Sequence, residues 1–394
     1  MLRNPVLTIL LALSLSSMPI QVITPAFAHT RYDGQEPAQL EAALPTEHSI
    51  NVPFYYQEKV YYCGPAALQM VFDYHGENTS QSEIADVART VPNVTYGGEL
   101  RRAAHFSNLS SSMGTELPET ITGYANRKLG YAAFEKSDLE IDDLKSLISQ
   151  DLPIILLMTW ALGQPYGHYR VAVGYNQTHI FMHDPWNKDA WGGDYGGPNI
   201  VMNYTFFDAM WDYSGHWGLL VSPWKIDLEI PGSIHAGEQF VVTAKVTYVH
   251  QTAFSDDHYA ASSCRATILL QNGLVLVEGG NTIKNLGVLQ AGQTAQAEWA
   301  LTANSTGDYS IEVSAEGRVS GTVPQRDDSC PAYSYQDRIG ANSSATITVG
   351  SSSPNGFNYF EEVAIASIAI TTTIVLVVAW YYFRSRRIKT PSPE

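Results

Sequence analysis

Tyr61-Tyr62-Cys63-Gly64-Pro65-Ala66-Ala67 is the stretch on which the reading of this chain turns. A helix is predicted to begin at Cys63, because Ala67, Met70, Val71 and Tyr74 repeat as one apolar face at i, i+3, i+4 and i+7. Gly76 supplies a stop. A thiol at a helix N-terminus faces the positive end of the macrodipole, which favours thiolate. Gly64 allows close backbone approach, and Pro65 suits a first turn whose N–H groups have no intrahelical acceptor. Gln57, six residues upstream, can offer an amide towards the same point. A thiolate, its own backbone N–H and a nearby amide donor make a site for acyl transfer through an oxyanion.

Such a nucleophile needs a base, and the base needs an orienter. His168 opens the predicted buried strand Gly167-His168-Tyr169-Arg170-Val171-Ala172-Val173-Gly174, and Asp184 closes the next in His183-Asp184-Pro185-Trp186. A tight hairpin between these strands would set His168 and Asp184 side by side, with the imidazole facing Cys63. Trp160 and Trp186 are expected to wall a substrate cleft. Taken singly, Cys63 reads as a small buried hydrophobe, His168 as a core histidine, Asp184 as a turn former and Gln57 as a surface residue. Their order and spacing together favour the catalytic reading. His179 and His183 are four apart, but on a strand that spacing does not converge on one ion, and the Glu of H-E-x-x-H is missing. Ser255-Asp256-Asp257-His258 lacks the calcium-loop pattern. No metal and no cofactor are expected.

Gln57-x5-Cys63-Gly-Pro-Ala, Gly-His168-Tyr-x-Val-x-Val-Gly and Asp184-Pro185 together resemble the papain-like peptidase domain of bacteriocin-processing, double-glycine transporters. The resemblance implies an α+β papain-like fold over about residues 46–224, Cys63 as nucleophile, His168 as base, Asp184 as its orienter and Gln57 as oxyanion donor. It implies a peptide or protein substrate. The chain has no G-x-x-x-x-G-K-[ST] loop for an attached ATPase, so the nucleophile chemistry carries over and the leader-peptide substrate does not.

The texture of the segment agrees. Helical patterns at 63–75, 82–89, 116–129 and 137–150 precede strand-like runs at 153–160, 169–175 and 179–183. Over 225–349 helix signals vanish, and about seven short strands separated by turn residues point to an immunoglobulin-like β-sandwich. Ala295, Ala297, Trp299 and Leu301 alternate there, as do Tyr309, Ile311, Val313 and Ala315. Such a module could engage a second surface protein.

The chain is 394 residues long with a formal charge of −16, which excludes a basic nucleic-acid footprint, and its three cysteines include no C-x-x-C. Residues 1–28 read as a signal peptide: Arg3, an apolar run and Ala26-Phe27-Ala28. Residues 363–383 carry no charge and are long enough to span a bilayer. Arg384, Arg386, Arg387 and Lys389 follow, so the tail at 384–394 is expected in the cytoplasm and the rest outside, with 350–362 as a stalk. Sequons, among them Asn78, Asn176 and Asn304, fit an exported chain. In that oxidising setting Cys264 and Cys330 are expected to form a disulfide, leaving Cys63 as the lone thiol. A catalytically silent peptidase fold that binds peptides or surface proteins is the alternative reading. The retention of Cys63, His168 and Asp184 together argues against it.

Overall fold

Helix α1 (Cys63–Tyr74) is apolar on nearly every side, with Ala66, Ala67, Leu68, Met70, Val71 and Phe72 all buried, so it runs through the interior instead of along the surface. The computed structural model describes residues 44–92, 94–107, 110, 124, 126–325 and 332–351. Ahead of α1 lies the short strand β1 (His48–Ser49), and after it α2 (Gln81–Val87) and α3 (Gly97–His105). Helix α2 opens with a reciprocal capping box between Ser80 and Glu83. There follow β2 (Ala132–Lys136), α4 (Ile141–Ile148), β3 (Ile154–Thr159), β4 (Gly167–Tyr175) and β5 (His179–Asp184). The first half ends with α5 (Lys188–Trp191), β6 (Gly197–Asn203), α6 (Tyr204–Trp211) and β7 (Gly218–Ser222).

The strands form an antiparallel sheet in the order β2-β7-β3-β4-β5-β6, with β1 paired to β4. β3 and β4 lie at its centre and are buried on both faces, which is why β3 reads as a nearly unbroken apolar run and β4 carries its His168 and Arg170 into the interior. Helix α1 packs on β4, bringing the start of the helix to the start of the strand. Val171 pairs with His183, so Asp184 lies beside Arg170, and His168 follows on the same face two residues along.

The second half has strands β8 (Lys225–Glu229), β9 (Ser233–His235), β10 (Gln239–Thr247), β11 (Ala261–Leu270), β12 (Leu274–Leu276), β13 (Ile283–Leu289), β14 (Thr294–Ala303), β15 (Gly307–Val323) and β16 (Tyr333–Gly350). They make a four-stranded sheet, β12-β14-β10-β8, and a five-stranded one, β13-β11-β15-β16-β9. Phe240, Val242, Ala244 and Val246 of β10 and Ile311, Val313 and Ala315 of β15 alternate inward and share one core.

β15 and β16 outgrow the sandwich. Their ladder continues to Val323 opposite Tyr333, and the extension reaches α3 of the first half. There Tyr333 Oη donates to Glu99 at 2.9 Å, and Arg102 meets Asp337 at 2.7 Å with both side chains buried. Gly130 N–H donates to Arg338 O and Gly130 O accepts from Gly340 N–H, a bridge between the two halves. A Cβ at Gly130 would sit 1.8 Å from His105 O, so only glycine allows this approach. His105 lies between Tyr335 Oη (2.9 Å, Nδ1) and Tyr259 Oη (2.7 Å, Nε2). Burial, then the charges of Arg101 and Arg102, hold His105 well below the usual imidazole range. Tyr259 Oη also accepts from Ala133 N and donates to Ala133 O, and Asp257 accepts from Glu135 N. With its own hydrogen on Ala133 O, the Tyr259 hydroxyl accepts from His105 Nε2–H, and His105 Nδ1 accepts from Tyr335 Oη–H.

Several expectations change. The Cys264–Cys330 disulfide is not formed: Cys264 is a free, buried thiol donating to Ala261 O at 3.0 Å, and Cys330 lies outside the described residues. The cause is a bulge between Ala261 and Arg265, with Ser263 at φ 51°, that turns the Cys264 side chain inward, where Gly317 leaves it room. The helix expected at 137–150 is shorter, because Asp138 takes φ 60° and Glu140 caps the first turn. That expected at 116–129 falls mostly outside the described residues, and 126–129 is irregular. The signal peptide, the distal stalk, the membrane segment and the tail also lie outside them. No described helix is long and apolar enough to cross a membrane.

Candidate active site

Cys63 heads α1, and its backbone N–H lies in a first turn, where no intrahelical acceptor exists. Its thiol is hydrogen-bonded to the His168 ring and receives the N–H groups of Tyr169 and Gly64. Burial resists ionisation, but the hydrogen bond and charge of His168 outweigh it, and the thiol is held below its ordinary range. His168 Nε2 donates to Asp184 Oδ1 at 2.7 Å, which leaves Nδ1 for the Cys63 side. Burial disfavours the imidazolium, yet the Asp184 carboxylate and the Cys63 hydrogen bond raise His168 above its usual value.

Asp184 is fully buried but does not become neutral. Its Oδ1 also accepts from Trp186 N at 2.9 Å, and its Oδ2 accepts from Arg170 Nε at 2.8 Å. Burial would raise this carboxyl, but the Arg170 guanidinium first and His168 next hold it far below the usual carboxylate range. Arg170 is not among the residues singled out from the sequence. The signal was there: an arginine two positions from His168 in a run of buried strand residues shares that histidine's face.

The structure therefore brings Cys63, His168 and Asp184 together. Gln57 is placed differently from the expectation. It is buried, but its Nε2 donates to Lys59 O at 2.9 Å and Val60 O at 2.8 Å, and it does not line the cleft. Its backbone N–H holds Pro185 O at 2.8 Å, tying the Cys63 approach loop to the turn after Asp184.

A cleft of about 740 Å³ opens over Cys63 and His168. Trp160 and Trp186 both line it, 5.6 Å apart edge to face, and Trp191 stands 5.1 Å beyond Trp186. Tyr61, Tyr96, Leu157, Tyr166 and Tyr213 complete much of the wall, and no Asp, Glu, Lys or Arg is among its described lining residues. Gly196, at φ 141°, passes so close that a Cβ would lie 2.2 Å from Trp186 O. No group of three His, Cys, Asp or Glu side chains suited to a metal ion occurs among the described residues.

The lowering of Cys63 and the raising of His168 both favour a thiolate–imidazolium pair. Iodoacetamide alkylation of Cys63, followed on its own peptide by mass spectrometry, should therefore proceed at pH 6 nearly as fast as at pH 8. An ordinary thiol would slow by about 100-fold over that interval.

Residues 49–216 match the model of the Peptidase_C39 like family. No curated protein matches the chain. Among solved structures, the peptidase domain of Streptococcus ComA, a bifunctional ABC transporter of a quorum-sensing pathway, is similar at 18% identity and a TM-score of 0.30, over 43% of this chain and 96% of that one. A double glycine motif protease from an AMS/PCAT transporter, in complex with the leader peptide, is similar at 14% and 0.30, over 45% and 94%. A cohesin module from a Clostridium perfringens family 33 glycoside hydrolase is similar at 8% and 0.20, over 33% and 98%. At such scores these likenesses carry no weight of their own.

Proposed function

We propose that this chain, whose residues 49–216 match a C39-like cysteine peptidase family, is an extracytoplasmic, membrane-anchored peptidase that cleaves peptide bonds with Cys63, His168 and Asp184. The observation that carries the reading is the hydrogen-bonded run from the Cys63 thiol through His168 to Asp184 at the floor of an open cleft. The Cys63 sulfur attacks the scissile carbonyl carbon. His168 gives its proton to the departing amine, leaving a thioester on Cys63. A water molecule, its proton taken by His168, then attacks the thioester and releases the acid and the thiol. Asp184 holds the ring in the tautomer this needs.

The Cys63 N–H is the first donor to the oxyanion. Gln57 joins it when one amide hydrogen leaves the 59–60 carbonyls. Gln57→Ala should then lower kcat by about 100-fold. A change below threefold would confine Gln57 to holding its loop. The uncharged, aromatic walls suit a peptide segment with apolar side chains. The immunoglobulin-like sandwich, the stalk and the 363–383 segment would hold the cleft outside the membrane.

The test is a peptide library incubated with the full chain, before and after one equivalent of iodoacetamide. Cleavage that stops in step with alkylation of Cys63 supports the reading. Cleavage that persists on fully alkylated protein overturns it.

A further inference from the structure

Arg170 has no contact with the cleft, yet three of its nitrogens are committed around it. Nε donates to Asp184 Oδ2 at 2.8 Å, Nη1 to Thr159 O at 3.0 Å and Nη2 to Trp160 O at 3.1 Å. The side chain is fully buried. Thr159 ends β3 and Trp160 begins the cleft wall. One planar fork thus fixes the orienting carboxylate and the wall backbone in a single frame, a geometry open to guanidinium and closed to a lysine ammonium.

We propose that Arg170 is a positioning residue that holds Asp184 Oδ1 on line with His168, and so keeps the ring aimed at Cys63. The inference rests on the catalytic reading of Cys63, His168 and Asp184 given above. Without the fork, Asp184 would keep only the Trp186 N–H and His168 itself as partners, both on Oδ1. Its carboxylate plane would be free to turn about that one oxygen.

The sign of the effect separates positioning from a direct action of the Arg170 charge on the ring, and Arg170→Lys separates it from the charge that keeps Asp184 ionised. The groups acting on His168 are Asp184, Cys63 and Arg170, and Arg170 on its own disfavours the imidazolium. The cleft lining adds no carboxylate or ammonium. If Arg170 acted on the ring only as a charge, removing it would favour the thiolate–imidazolium pair and leave alkylation at pH 6 as fast or faster. Positioning predicts a fall.

The experiment measures iodoacetamide alkylation of Cys63 in the full chain at pH 6 and pH 9, by mass spectrometry of the Cys63 peptide. Arg170→Met should slow the pH 6 reaction about tenfold, one unit of the acid limb, and leave the pH 9 rate unchanged. Arg170→Lys, which restores the charge but not the fork, should recover only part of the loss. In an Asp184→Asn background Arg170→Met should cost less than about twofold, because the two residues act through one bond. Wild-type rates at pH 6 in Arg170→Met, or an equal loss in both backgrounds, would overturn the proposal. So would failure of both variants to fold by circular dichroism, which would make Arg170 a structural residue. A wild-type chain whose Cys63 titrates as an ordinary thiol would overturn the peptidase reading itself, and a wild-type plateau with an unmoved Arg170→Met profile only this one.

Discussion

Alanine at Cys63 should lower kcat for peptide cleavage by about a million-fold, and alanine at His168 should cost nearly as much. The two side chains are one device: without the thiol there is no acyl acceptor, and without the imidazole no partner ionises the thiol or protonates the leaving amine. The double variant should therefore be no slower than either single one, whereas independent contributions would multiply. Initial rates on one cleaved peptide, with the Cys63→Ala preparation checked for contaminating peptidase, decide between these outcomes. Measurable, iodoacetamide-insensitive turnover by Cys63→Ala would remove Cys63 from the mechanism.

The second large effect is on stability. The Tyr259 hydroxyl serves three buried groups at once, Ala133 N, Ala133 O and His105 Nε2. Tyr259→Phe keeps the ring packed against Phe134 and Tyr248 and removes only the oxygen. Each buried polar group left without a partner costs about 1–3 kcal/mol, so the variant should lose about 4 kcal/mol in urea unfolding. His105, kept neutral by burial and the flanking arginines, has no charged form to compensate with. Alkylation of Cys63 in the folded variant should be unchanged, since Tyr259 is remote from the cleft lining. A loss below 1 kcal/mol would show that water replaces the hydroxyl and that the interface is wetter than its burial implies.

Much of the candidate site is legible from local pattern because its residues sit at the ends of regular elements. Cys63 begins a helix whose apolar spacing marks its start, and His168 and Asp184 bound two strands that neighbour each other in the sheet. What escapes the sequence depends on long-range partners. Arg170 is a charge in a buried run, and its fit becomes clear only when the carbonyls of Thr159 and Trp160 are beside it. Helix α3 has a short apolar stripe, and its Glu99, Arg102 and His105 are buried only because the far end of the β15–β16 hairpin covers them. Cys264 stands in polar sequence that reads as a loop, but a bulge carries it into the core. The Gln57 amide could be placed near Cys63 from spacing alone; the direction of its N–H groups could not.

The contacts on β2 bear on how the chain can be divided. β2 is the outermost strand of its sheet, and Tyr259 and Asp257 occupy the outward N–H groups of Ala133 and Glu135. A first half produced by itself would present those groups, with the Ala133 carbonyl, as an open edge able to recruit a strand from a second molecule. The loop that carries Tyr259 and Asp257 thus guards the first half against edge-to-edge aggregation.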